Sequence, residues 1–244
     1  EFNWDTGMVK LLTGPDFSDQ VIFSFNTDAA SIYIPVPTAS IEKTKSCDTE
    51  IGSLSDHATY DVPSEDWMSY KRVMRSSFQY YRKSSGLELC STKVMIQIVQ
   101  VNKTSSTTKL LPLDDAKHYL LKIQDHLKEK LLENNFNPDF FVFPSSISAA
   151  QELISNGINW AYMRTGYAEL CPPDLCFVTP LNSSNILLIE ANTGDYNFVL
   201  PDGQQEAMIK EDEADLFEFI KSIRIDFSPE IQAQIDEARA TESV

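Results

Sequence analysis

Between Glu211 and Glu218 the chain places Glu211-Asp212-Glu213, Asp215 and Glu218 within one short stretch. Carboxylates at that density either dock onto a cationic partner or line the solvated face of a surface helix. Tyr80-Tyr81-Arg82 is a second concentrated run, made of residue types enriched where proteins meet. Other reactive types are sparse. His57 lies in a polar stretch, while His118 and His126 stand two helical turns apart, too far to hold one ion unaided. Cys171 and Cys176 are separated by four residues rather than the two of a zinc knuckle. They read as a local disulfide or as two buried thiols. No Gly-x-Ser-x-Gly elbow, His-Glu-x-x-His helix or phosphate-binding glycine loop occurs. Covalent hydrolysis and nucleotide binding therefore have no motif behind them.

Charge narrows the partners. The chain has 36 acidic against 20 basic residues, a net charge of -16. Twelve of the acids, against four bases, lie between Leu200 and Val244. Such a field repels nucleic acid and anionic membrane and attracts basic proteins or metal cations. With 42% hydrophobic and 11% aromatic residues, 244 residues can bury a proper core. Only 8 glycines are present, which disfavours folds built on glycine-rich loops. No apolar run reaches the roughly 18 residues of a membrane span. Four cysteines in this length fit a cytoplasmic protein. The sequons at Asn102 and Asn182, with a first residue Glu1 that leaves room for a removed signal peptide, keep secretion open.

The elements that must position these residues fall into two parts. Val21–Phe25 and Ser31–Val36 alternate and predict a hairpin, followed by an exposed polar loop over 37–62. Ser64 caps a predicted helix to Lys83 whose face is Trp67, Tyr70, Met74, Phe78 and Tyr81. Leu87–Val101 and Lys109–Leu111 predict strands. Asp114 or Asp115 opens a long helix to about Asn134, with Tyr119, Leu120, Ile123, Leu127 and Leu131 on one face. Phe140–Phe143 predicts a short buried strand, and Ser146 or Ser148 caps a short helix through Ile154 that Gly157 stops. Strands follow at Ile158–Met163, Leu175–Thr179, Ile186–Ala191 and Phe198–Leu200. An acidic helix covers Gln204–Ile220, then a strand Ile223–Phe227 and a last short helix from Ser228.

Over residues 147–227, Pro173-Asp174 on one strand and Glu190 closing Ile186-Leu187-Leu188-Ile189-Glu190 on the next resemble the core of the PD-(D/E)XK nuclease superfamily. That resemblance implies that Asp174 and Glu190 share a divalent Mn2+ or Mg2+ ion for phosphodiester cleavage. It implies a lysine two residues after the glutamate, where this chain has Asn192. Lys210 on the following helix would then substitute, as in some cap-snatching viral endonucleases. An upstream metal-binding histidine would be His126 or His118.

The fold read from sequence is α+β, or mixed α/β, with mixed sheets flanked by helices. Its C-terminal part has the order helix–strand–strand–strand–helix–strand. The parts are 1–145 and 146–244, or one continuous domain. The function expected first is an acidic protein-interaction module, a regulatory subunit, adaptor or inhibitor, without cofactor. It would bind a protein with a basic face through Glu211, Asp212, Glu213, Asp215, Tyr80 and Tyr81, and no membrane. The metal-dependent nuclease at Asp174, Glu190 and Lys210, with His126 as a further ligand, is the alternative, and only it involves nucleic acid.

Overall fold

A computed structural model describes residues 11–56, 59–60, 62–65, 68–101, 111–167, 172–193 and 204–242 of the chain. His57, Trp67, the sequon at Asn102, Lys109, Leu110, Cys171 and the predicted strand Phe198–Leu200 lie outside these residues. After a short β1 (Leu12–Thr13), the predicted hairpin forms from β2 (Gln20–Thr27) and β3 (Ala30–Pro37). Thr27 closes its turn, the hydroxyl accepting from the N–H groups of Ala29 and Ala30. The polar stretch that follows is more ordered than its composition predicts. It holds a 3-10 turn (Thr38–Lys43), β4 (Lys45–Ser46), β5 (Glu50–Gly52) and β6 (Val62–Glu65), and it buries Leu54 completely.

The helix predicted over 64–83 is instead a long strand, β7 (Met68–Arg82). Intervals of four residues satisfy both a helix face and every second step of a strand. The aromatic and alternating content favours the strand. Met74, Ser76, Phe78 and Tyr80 are buried, while Arg75, Ser77, Gln79 and Tyr81 are half-buried or exposed on the other side. β7 pairs along its length with β8 (Glu88–Val101). Val73 is a bulge: Arg72 opposes Gln97 and Met74 opposes Ile96, so Val73 and Met74 enter the same core.

The long helix holds as α1 (Leu113–Glu133), with Asp114 and Asp115 in its first turn. Left-handed Asn135, at φ 61°, follows its end. Lys117 anchors it, paired with Asp114 at 2.7 Å and with Glu152 at 2.5 Å. The segment after α1 departs from expectation twice. β9 (Phe141–Val142) is not buried, with Phe140 39% and Val142 41% exposed. In place of the short helix stands a 3-10 turn (Ile147–Ala149) and then β10 (Gln151–Ser155). Asn156 and Gly157 both take positive φ, 52° and 75°, the tight-hairpin geometry that Asn-Gly favours, so Gly157 turns a hairpin rather than stopping a helix.

β11 (Ile158–Tyr167), β12 (Asp174–Pro180), β13 (Asn185–Asn192), α2 (Gln204–Ser222), β14 (Arg224–Phe227) and α3 (Pro229–Glu242) follow, so the predicted C-terminal order holds from its first strand onward, with β10 in place of its leading helix. Among the described residues one sheet has ten strands, seven on the antiparallel path β1-β7-β8-β13-β12-β11-β10 with β4 and β6 paired to β7 and β9 to β11, and the other has four in the order β14-β3-β2-β5. β13 pairs with β8 and β14 with β3, so the chain before and after residue 146 contributes to both sheets. Strands β11–β13 are buried on both faces. Trp160, Phe177, Leu187 and Ile189 pack with the small sheet and α2. Ala161, Met163, Cys176, Val178, Ile186 and Leu188 pack with α1. Among the described residues no helix is long and apolar enough to cross a membrane.

Candidate functional site

Asp174 and Glu190 come together, as the hairpin β12–β13 requires. Cys176 opposes Glu190 directly, and Asp174 lies one diagonal step away on the same face. Diagonal neighbours sit roughly 7–8 Å apart at Cα, within reach for two carboxylates. Each is held by an amide. Asn192 Nδ2 donates to Asp174 Oδ1 at 2.6 Å, and Gln97 Nε2 donates to Glu190 Oε2 at 2.7 Å. Burial raises both acids above the usual carboxylate range, and the Asp174 charge pushes Glu190 up further. Cys176, a free and fully packed thiol, is raised well above its ordinary value by burial and by the same two acids. The Gln124 side chain of α1 roofs this end, its oxygen accepting from the Thr165 hydroxyl.

The rest of the nuclease-like constellation is elsewhere. Lys210 is on α2, which packs on the opposite face of the ten-stranded sheet from Cys176 and α1. Its ammonium pairs with Glu206 at 2.8 Å. The sheet thus separates Lys210 from both carboxylates. Asn192, standing where that resemblance places a lysine, serves as a hydrogen-bond donor to Asp174. His126 is half-buried on α1, and His118 is exposed with Nδ1 against the Asp114 carbonyl at 2.9 Å. Among the described residues no group of three His, Cys, Asp or Glu side chains converges as metal ligands. Each acid already accepts an amide N–H, Asp174 from Asn192 and Glu190 from Gln97. β14 also joins the small sheet rather than extending β11–β13.

The acids of α2 are engaged inside the molecule. Glu211 accepts from the backbone N–H of Leu11 at 2.8 Å and of Leu12 at 3.0 Å, tying the edge strand β1 to the helix. Asp212 is fully buried and accepts from the Thr92 hydroxyl. Glu213 grips Arg164 with two bonds, at 2.7 and 2.8 Å. Asp215 is half-buried, and Glu218 pairs with Lys221 at 2.9 Å. Tyr80 is fully buried, its hydroxyl pushed well up by burial and by the Asp212 and Asp215 charges. Tyr81 is half-buried, with its hydroxyl donating to Gln79 at 3.2 Å. The run read as a docking face is therefore largely a set of internal fasteners.

The exposed apolar surface lies in a different place. Of the nine large hydrophobic residues exposed among the described residues, five fall between positions 127 and 142: Leu127, Leu132, Phe136, Phe140 and Val142. The buried residues of α1 end at Gln124, so its last turns run past the core. Phe136 meets Phe141 edge-on at 6.3 Å, and Phe141 stacks on Phe143 at 5.9 Å, which orders the segment. The apolar run Phe140–Phe143 was visible in the sequence, but its character read as burial. Comparison with protein families, with curated proteins and with solved structures finds no match for the chain.

Proposed function

We propose that the chain is a protein-interaction module, a regulatory subunit, adaptor or inhibitor. It engages a partner with a basic face through the end of α1 and the phenylalanine segment after it. The observation that carries this reading is the gathering of exposed Leu127, Leu132, Phe136, Phe140 and Val142 on one short stretch. Isolated exposed apolar residues need no explanation, but five within sixteen positions, two of them phenylalanines, offer apolar surface for a contact. Aromatic anchors dominate the energy of such contacts. Exposed Asp125, Glu129, Glu133 and Asp139 outnumber Lys128 and Lys130 around the group, and the whole chain carries -16. Two copies of so acidic a molecule repel, which favours a basic partner over self-association. Asp212, Glu213 and Asp215 contribute to this long-range field rather than to contact. A cytoplasmic setting suits the free thiol of Cys176.

The test is retention of a partner from extract of the cells that make the protein, with wild type and Phe136→Ser/Phe140→Ser compared at low and physiological salt. A basic polypeptide retained by wild type, lost by the double variant and weakened by salt supports the reading. Equal retention by both proteins contradicts it.

A further inference from the structure

The small sheet leaves one edge of β2 open over most of its length. β2 pairs with β3 without a register shift, Gln20 opposite Pro37, Ile22 opposite Pro35 and Ser24 opposite Tyr33. In an antiparallel pair, successive residues turn their N–H and C=O groups alternately toward the partner strand and away from it. The Asn26 N–H turns away from β3, donating to the Thr49 carbonyl at 2.8 Å. Gln20, Ile22 and Ser24 share its phase, so their main-chain groups face outward too. Pro37 and Pro35 agree with that phase, since neither has an N–H to give β2. Among the described strands only β5 reaches this side, at Asn26 and Thr27. Val21 is 44% and Ile22 60% exposed beside the open stretch. The far side of β3 is guarded differently. β14 covers its residues 30–33, and beyond them Pro35 and Pro37 offer no donor to a visiting strand. Prolines and charges are the usual means of blunting an edge. The β2 sequence has neither. Its acids stand at the two ends instead, exposed Asp16 and Asp19 before the strand and Asp28, Asp48 and Glu50 at its close.

We infer that β2 accepts an added strand along residues 20–25, supplied by an extended polypeptide segment with apolar residues at its centre and lysine or arginine at its ends. Main-chain pairing with Ile22 and Ser24 attaches the segment, and its side chains cover Val21 and Ile22. Its basic ends meet the acids that bracket β2. The same acids disfavour a second copy of this chain. Antiparallel pairing of Ile22 with its own counterpart would bring Asp16 and Asp19 of one copy toward Asp28 and Glu50 of the other, and like charges brought opposite one another destabilise a strand pair. This edge is separate from the phenylalanine surface and does not depend on it.

The experiment follows hydrogen exchange at the backbone amides of the full chain, alone and with the synthetic peptide Lys-Lys-Thr-Val-Thr-Val-Thr-Lys-Lys at millimolar concentration. Two controls accompany it, the same peptide with glutamate for lysine and the lysine peptide N-methylated throughout its central residues. In the free chain the Ile22 and Ser24 amides exchange readily, while those of Phe23 and Phe25 are protected. The lysine peptide slows exchange at Ile22 and Ser24, and neither control does. Ile22→Pro removes an outward donor without touching the bonds to β3, and weakens peptide binding about tenfold, as loss of a main-chain hydrogen bond with its apolar contact does. Ile22→Lys, which opposes the peptide by charge, weakens it independently if Ile22→Pro fails to fold. Phe136→Ser/Phe140→Ser leaves peptide binding unchanged. Ile22 and Ser24 amides already protected in the dilute free chain overturn the inference, since the edge is then covered by the chain itself. Protection that grows with the concentration of the chain alone assigns the edge to a second copy and overturns it too. No slowing by the lysine peptide, equal slowing by either control, or wild-type affinity in folded Ile22→Pro and Ile22→Lys does the same.

Discussion

Asp174 and Glu190 are the residues where sequence and structure meet most closely, and their chemistry is that of strained acids. Both are raised by burial, so the folded chain binds more protons than the unfolded chain between the ordinary carboxylate range and their raised values. Stability therefore falls as pH rises through that window and stays lower at neutrality. Asp174→Asn and Glu190→Gln keep the oxygens that Asn192 and Gln97 hold. Each is expected to raise the melting midpoint at pH 7 by about 2–4 °C, what ~1 kcal/mol is worth in a chain of this size. The gain disappears on acidification below the carboxylate range. A loss of stability at pH 7, unchanged on acidification, would count against the assignment. Millimolar manganese is expected to leave the midpoint unmoved. A rise present in wild type and absent in Glu190→Ala would restore the metal reading, because a native-state ligand stabilises by mass action. Glu211→Ala tests the internal role of the α2 acids. Removing the acceptor of two backbone N–H groups costs about 1.5–3 kcal/mol by chemical denaturation, whereas a purely solvated acid would cost almost nothing.

At the scale of elements, turns and periods decided what could be read. The Asn156-Gly157 turn, with φ 52° and 75°, needs a residue that tolerates the left-handed region at its second position. Gly157→Val is expected to destabilise by roughly 1–2 kcal/mol, measured by urea unfolding. A neutral result would mean that the β10–β11 hairpin does not depend on this turn. The same dipeptide explains one misreading, since Gly157 serves equally well as a helix stop when the preceding residues are taken as helical. β7 shows the other ambiguity: Tyr70, Met74 and Phe78 recur at intervals of four, which both periods accommodate. The bulge at Val73 shifts the alternation midway, so a simple period-two pattern fails over the whole strand. Where one period dominates, as in α1, β13 and α2, the chain was legible to within a few residues. Asp174 and Glu190 were legible as neighbours because two consecutive antiparallel strands bring them together. The separation of Lys210 was not, because which face of the sheet a helix covers is set by long-range packing. The internal use of Glu211, Asp212 and Glu213 was hidden for the same reason, their partners lying at Leu11, Thr92 and Arg164.

For the whole molecule, charge acts at long range and apolar surface at contact. A net charge of -16 speeds encounter with a basic partner, and its effect fades as salt shortens the screening length to about 8 Å at physiological strength. In the interaction proposed above, the half-life of the complex belongs to Phe136, Phe140 and their neighbours. The account therefore separates two signatures: salt slows association, while loss of the phenylalanines hastens dissociation. Phe136→Ser/Phe140→Ser removes largely exposed side chains and the Phe136–Phe141 edge contact, so its stability falls by about 0.5–1.5 kcal/mol and the chain stays folded. The most direct measurement is the association and dissociation rates of the retained basic polypeptide on immobilised wild type and on the double variant, at two salt concentrations. The account predicts a dissociation rate at least about tenfold faster for the double variant, as expected for loss of hot-spot side chains, with association slowed by salt in both proteins. Unchanged dissociation in a folded double variant, or association indifferent to salt, would contradict it.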